Sequence, residues 1–263
     1  MNKALVVFSA IVCVSAAEAW SSPRREPRPS TSAERLGREV YRTYCIGCHG
    51  QRGDGKGPAA PWLDPRPRDF TPATFKWRST PSGALPTDDD LRRTIRKGVH
   101  NASMPSWPLL PDREVDAVIQ YLKLFSARWK DPSSAQPAMS LPGAPSFVST
   151  PESVERGRML YEKFKCGACH GPEGHGDGFA AAGLTDDWGF PIRPFDFTRG
   201  TPKGGDRPED FYRGFTTGLS GTPMPSFASA MSDQERWDVV SFVMDLRRRN
   251  APGKTPSTAG GNR

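Results

Sequence analysis

The sequence predicts an all-α fold arranged as two tandem domains, each wrapped around its own covalently attached group. Three observations predict it. The string CIGCHG at residues 45–50 returns as CGACHG at residues 166–171, the segments around both strings repeat each other, and each copy is framed by one helix before its string and another near its end.

Composition favours two small domains over one large one. Of 263 residues, 27 are proline, 26 are glycine and 36% are hydrophobic, with a mean hydropathy of −0.59. Domains with few aliphatic side chains need a staple, because apolar burial barely exceeds the chain entropy lost on folding. The repeated cysteine string can supply one.

Residues 1–19 have the pattern of a secretory signal: Lys3, the apolar run ALVVFSAIVCVSA, then AEA with cleavage expected after Ala19. The run falls short of the ~18 apolar residues that a membrane span requires, and no later segment reaches it, so no span is expected after cleavage. Cleavage removes Cys13. The mature cysteines are then Cys45, Cys48, Cys166 and Cys169, all inside the two strings.

Residues 20–32, rich in Pro, Ser and Arg, are expected to be disordered. The first domain spans 33–126 and opens with AERLGREVYRTYC; the second spans 153–249 and opens with VERGRMLYEKFKC. Each opening helix carries Gly four positions before Tyr, as Gly37 with Tyr41 and Gly157 with Tyr161. That spacing puts both on one helix face, where glycine permits close approach by another helix. After each string comes a glycine-rich loop, then an RP-x-DFT segment, then a Met-Pro-Ser-aromatic tetrapeptide. The closing helices place Val115, Val118, Ile119 and Leu122, and Val239, Val240, Val243 and Leu246, on apolar stripes. Asp112 is the expected N-cap of the first closing helix, and Ser232 with Glu235 has capping-box spacing in the second. Residues 127–152, rich in Pro, Ser and Ala, read as a linker, and residues 250–263 as a disordered tail.

Two cysteines three positions apart, followed at once by histidine, can present both thiols to one edge of a flat macrocycle and the imidazole to its centre, the pattern of c-type haem attachment. The strings therefore predict two haem c groups, bound through Cys45 and Cys48 and through Cys166 and Cys169, with His49 and His170 as iron ligands. A zinc site competes if the two strings combine their ligands, and a redox dithiol competes if a βαβ context surrounds them. Met104 lies 55 positions after His49, and Met224 lies 54 after His170, in the same tetrapeptide. They are the candidate distal ligands; packing in the core is the competing role for a methionine.

These residues resemble class I cytochromes c, in the form of a tandem dihaem member of the bacterial periplasm. The likeness covers roughly residues 33–126 and 153–247. It implies that the two framing helices of each domain cross at Gly37 and Tyr41 and at Gly157 and Tyr161. It also implies that Pro58 in GKGPAA offers its carbonyl to the proximal histidine, a position where the second copy has Phe179. Arg66, Arg68 and Arg193 are candidates for binding haem propionates, with a solvated surface position as the alternative for each. Trp62, Trp77, Trp107, Trp188 and Phe227 are expected to pack against haem.

With His and Met on both irons no open site remains, and the expected activity is the transfer of single electrons between a donor and an acceptor protein. A net charge of +7 suits partners with acidic docking surfaces. Nucleic-acid binding, the other meaning of a basic chain, does not suit an exported protein. Two alternatives stand beside a free carrier: a subunit of a larger respiratory complex, and a dihaem peroxidase in which one haem opens for substrate and His100 or His175 acts as a replaceable ligand or acid/base group.

Overall fold

A computed structural model describes residues 26–250; the expected signal segment, residues 20–25 and residues 251–263 lie outside it. Eight α-helices occur among the described residues: α1 (Ser32–Tyr44), α2 (Ile46–His49), α3 (Asp88–Lys97), α4 (Asp112–Lys123), α5 (Pro151–Lys163), α6 (Gly167–His170), α7 (Pro208–Thr217) and α8 (Asp233–Arg249). The only extended pairing among those residues is an isolated bridge between Thr185 and Pro191. The fold is all-α.

Local chemistry starts these helices where they start. Thr31, Thr87 and Ser232 each accept a hydrogen bond from the backbone N–H three residues on, while Glu34, Asp90 and Glu235 each accept one from the cap residue's backbone N–H. α4 differs from expectation, since Pro111 is its N-cap and Asp112 is already helical, with no side-chain cap. α3 and α7 were not legible as helices from periodicity. α3 has the charge-dense sequence DDDLRRTIRK, and what identifies it is its capping box, three acidic residues in the first turn and two basic residues in the last.

The helices build two separate cores. The first contains Val40, Tyr41, Leu91, Ile95, Val115, Val118, Ile119 and Leu122; the second contains Leu160, Tyr161, Phe211, Tyr212, Trp237, Val239, Val240, Val243 and Leu246. In each core the opening helix crosses the closing helix at its glycine. A Cβ on Gly37 would sit 2.0 Å from Ala117 O, and one on Gly157 would sit 1.9 Å from Asp238 O, so only glycine fits either crossing. The tyrosine one turn later locks the crossing to the cysteine string: Tyr41 Oη donates to Gly50 O and Tyr161 Oη to Gly171 O, each at 2.7 Å. The second crossing also holds a buried polar cluster, in which Asp238 accepts two bonds from Arg156 and one from Ser153. Full pairing makes that burial tolerable.

The segment expected to be disordered is not so over residues 26–31. Glu26 accepts hydrogen bonds from Arg42 Nη2 (2.6 Å), Tyr121 Oη (3.0 Å) and Gln51 Nε2 (3.3 Å), tying the chain to α1 and α4. Burial raises the Glu26 pKa, but the bonds from Arg42, Gln51 and Tyr121 outweigh it and hold the carboxyl below its ordinary value of 4.5. A depressed carboxylate stabilises the fold above its unfolded pKa, and the contribution is lost as pH falls through the folded pKa. Glu26→Gln should therefore cost about 1 kcal/mol at neutral pH and nothing in strong acid, as chemical denaturation at the two pH values will read out.

The 127–152 linker is also more than free chain. Met139 N donates to Ser79 O at 2.7 Å and Leu85 N to Ser134 O at 3.0 Å, while Leu141, Phe147 and Val148 pack on the second core. Linker and domains thereby form a continuous body. Arg78 joins the domains directly: wholly buried, it donates to Phe75 O and Pro81 O in its own domain and to Thr217 O at the end of α7.

Candidate functional site

Between α1, α3 and α4 lies a cavity of about 640 Å³, within the range usual for cofactor pockets. Its walls carry Cys45, Cys48, His49 and Met104 together, so the structure converges four candidate ligands that are separated by up to 59 positions in sequence. The remaining wall is largely apolar, including Leu91, Ile95, Val118 and Leu122.

The first string bends into position by local hydrogen bonds. Cys45 ends α1 and leads into α2, whose last residue is His49. The glycine-rich loop folds back on it: Gly55 N donates to His49 O at 3.0 Å and Gly57 N to Cys48 O at 3.0 Å. Phe70 N then donates to Gly53 O at 2.7 Å, which carries the RPRDF segment beneath the histidine. His49 Nδ1 lies 2.9 Å from Arg68 O, and the Phe70 ring stacks on the imidazole at 4.4 Å.

A carbonyl only accepts, so this bond fixes the proton on Nδ1 and leaves Nε2 with its lone pair for a metal. Burial pushes the His49 pKa down despite that bond, which keeps the ring in the neutral, coordinating form. The acceptor corrects the expectation for Pro58. Pro58 is exposed, and the chain at this point is committed to the Gly57–Cys48 contact, while the carbonyl under the ring belongs to Arg68.

The second domain repeats each step. Gly176 N donates to His170 O at 2.8 Å, Gly178 N to Cys169 O at 3.1 Å and Phe197 N to Gly174 O at 2.7 Å. His170 Nδ1 lies 3.1 Å from Phe195 O, with Phe197 stacked on it at 4.6 Å. The two loops therefore align as Gly53, Gly55 and Gly57 with Gly174, Gly176 and Gly178, and the Phe179 departure from proline leaves the histidine's acceptor untouched.

The methionine loops match as well. Gly98 and Gly218 end α3 and α7 at positive φ, and a Cβ on either would strike the backbone of the following Met-Pro-Ser segment at 2.7 and 2.6 Å. Val99 N donates to Met104 O and Leu219 N to Met224 O, at 3.0 and 3.1 Å. Met104 and Met224 are both half-buried.

Cys45 and Cys166, the first thiol of each string, do not suit the attacking role in a redox dithiol. Burial pushes Cys45 up to about 12 and Cys166 up to about 11, whereas an attacking thiol needs a depressed pKa. The donor set fits haem: paired thiols, an imidazole with Nε2 free, a thioether in the same cavity, and cationic side chains in its wall.

Residues 32–122 match the family described as cytochrome c oxidase, cbb3-type, subunit III, and residues 154–247 match the cytochrome c family. Among solved structures, a chain of the reducing HAO-like protein complex Kustc0457/Kustc0458 of Kuenenia stuttgartiensis is 44% identical, with a TM-score of 0.77 over 84% of this chain and 99% of that one. This chain belongs to the cytochrome c family. It is a tandem of two such domains, and among curated proteins none matches it.

The remaining expectations for this tandem cytochrome divide by position. Arg68, Trp77, Trp107 and Trp188 line the first cavity, but Trp62 points away from it and is 87% exposed. Trp62 stands in the short 3₁₀ turn Ala60–Trp62, whose Ala60 and Pro61 occupy the wall in its place. Arg66 also lines the cavity, with Nη1 spent on Ala60 O at 2.7 Å. Arg193 is exposed. His100 is exposed and is not part of the first cavity's lining; His175 is exposed beside Thr198, with Nδ1 3.2 Å from Thr198 Oγ1. Lys76, Lys203 and Asp186 line the cavity with no counterpart in the sequence reading.

Proposed function

We propose that this cytochrome carries two haems, each iron held by His and Met, and that it passes single electrons in the bacterial periplasm as part of a redox complex. Haem-based electron transfer follows from the two cytochrome c domains. The finer reading rests above all on one observation: Met104 shares its cavity with Cys45, Cys48 and His49. The second domain sets Met224 in a loop with the same hydrogen bonds.

The haem, when attached, supplies a one-electron Fe(III)/Fe(II) couple; the chain supplies the rest. Arg68 O and Phe195 O hold the Nδ1 protons, orient the imidazoles and raise their basicity. Phe70 and Phe197 fix the ring planes, and the apolar wall excludes water. Met104 and Met224, as thioether ligands, would favour a relatively high potential and would leave no position for a substrate. The signal-like residues 1–19 support export, and the membership of the Kuenenia relative in a protein complex supports a subunit role over a free shuttle. A net charge of +7 favours partners with acidic faces.

Reductive titration of the haem-loaded protein tests this reading. It should take up two electrons per chain, return them to a one-electron acceptor, and consume no peroxide catalytically. Sustained peroxide turnover would instead place the protein with the dihaem peroxidases.

A further inference from the structure

The first cavity is not built by the first domain alone. Asp186, Trp188, Phe190 and Lys203, all from the second domain, form part of its wall. Trp188 sits at the turn of a small hairpin closed by Asp186 N to Phe190 O (2.9 Å) and Ile192 N to Leu184 O (2.9 Å). Its indole is wedged between domains: a Cβ on Gly221 would lie 2.6 Å from it, and on the other side the Arg68 guanidinium stacks over it at 4.4 Å. Trp77 of the first domain packs in return on Gly204, where a Cβ would lie 2.6 Å from the ring, and this seats the neighbouring Lys203.

Three cations meet there. Arg68, Lys76 and Lys203 are half-buried, and among the described residues none of the three side chains makes a hydrogen bond or an ion pair. Asp186, Asp69 and Asp187 attract Arg68 and Asp64 attracts Lys203 without forming an ion pair; Asp186 Oδ1 accepts instead from Trp188 N and Phe190 N, each at 3.0 Å, and Asp69 Oδ1 from Thr71 N and Thr71 Oγ1. Burial, with the charges of Arg68 and Lys203, pushes Lys76 down to about 8. Three clustered, partly desolvated cations, none paired directly with a carboxylate, suit an occupant that brings negative charge.

We propose that the second domain completes the propionate end of the first domain's haem site, with Lys203 reaching across the interface to join Arg68 and Lys76 around the haem carboxylates. The inference rests on the haem reading of the first cavity. It gives the domain interface a redox role: Lys203 tunes the potential of a haem attached to the other domain, and movement between the domains would change that potential. A cation at the haem edge favours the reduced state, so its removal lowers the potential.

The test is spectroelectrochemical titration of the haem-loaded full chain carrying Lys203→Gln, with Lys203→Arg as the charge-retaining control. The first haem is identified by its loss in the Cys45→Ala/Cys48→Ala chain. In Lys203→Gln, at fixed ambient potential, the reduced-to-oxidised ratio of the first haem should fall about tenfold, a downshift of about 59 mV for a one-electron couple, while the second haem stays unmoved. Lys203→Arg should hold both potentials. Loss of the first haem alone in Lys203→Gln, restored in Lys203→Arg, also supports the clamp. Two loaded haems at wild-type potentials in Lys203→Gln, or a shift confined to the second haem, would overturn it. Neither of these outcomes touches the haem reading itself, which fails only if the wild-type chain binds no haem at the first string.

Discussion

Replacing Cys45 and Cys48 by alanine will lower the haem content from two per chain to one. Both thiols line the first cavity, and among the described residues no other cysteine does: Cys166 and Cys169 belong to the second string. Covalent attachment needs these two sulfurs, and His49 with Met104 alone leaves only reversible coordination. The cost extends beyond redox chemistry. A cavity of about 640 Å³ left without its covalent filling removes the staple from a core with few aliphatic residues, so the first domain should lose its cooperative thermal transition while the second keeps its own. Absorbance of the denatured haem per chain, together with intact mass, reads the first effect, and calorimetry reads the second. Retention of two covalent haems would remove the first string from the account.

Gly157→Ala should be the most damaging single-methyl change in the second domain. The added Cβ would lie 1.9 Å from Asp238 O and 2.6 Å from Asp238 C, which are backbone atoms of α8, and 2.9 Å from Phe242 Cβ. No side-chain rotation relieves a contact with backbone. α5 and α8 must separate, loosening the Arg156–Asp238–Ser153 cluster and the Tyr161 bond to Gly171 O that anchors the second string. Overpacking of this kind costs about 3 kcal/mol, which for a domain of this size lowers its melting temperature by about 12–24 °C. The first domain's transition should hold its place. A change in the second transition of only a degree or two would mean that the helices have room to move apart.

Gly157 was legible in the sequence because a close helix crossing restricts the residue type. So were Val115, Val118, Ile119 and Leu122, which follow helical period, and the four cysteines, whose spacing serves a covalent bond. What eluded the sequence was chemistry carried by backbone. The acceptor for His49 is the carbonyl of Arg68 and that for His170 is the carbonyl of Phe195, and since any residue supplies a carbonyl, side-chain identity gave no sign of either. α3 was hidden by its charge, for seven of its ten residues are Asp, Arg or Lys. The anchoring of Glu26 and the placement of Lys203 at the first cavity depend on contacts across 95 and more than 100 positions, which no local pattern encodes.

The central claim is that both irons are closed by methionine. The weak red methionine–iron band of the ferric protein, measured per chain and compared with Met104→Ala and Met224→Ala, tests it most directly. The account predicts two equivalents in the wild type and one in each variant. One equivalent or none in the wild type, with haem fully loaded, would contradict it and leave an iron open to substrate.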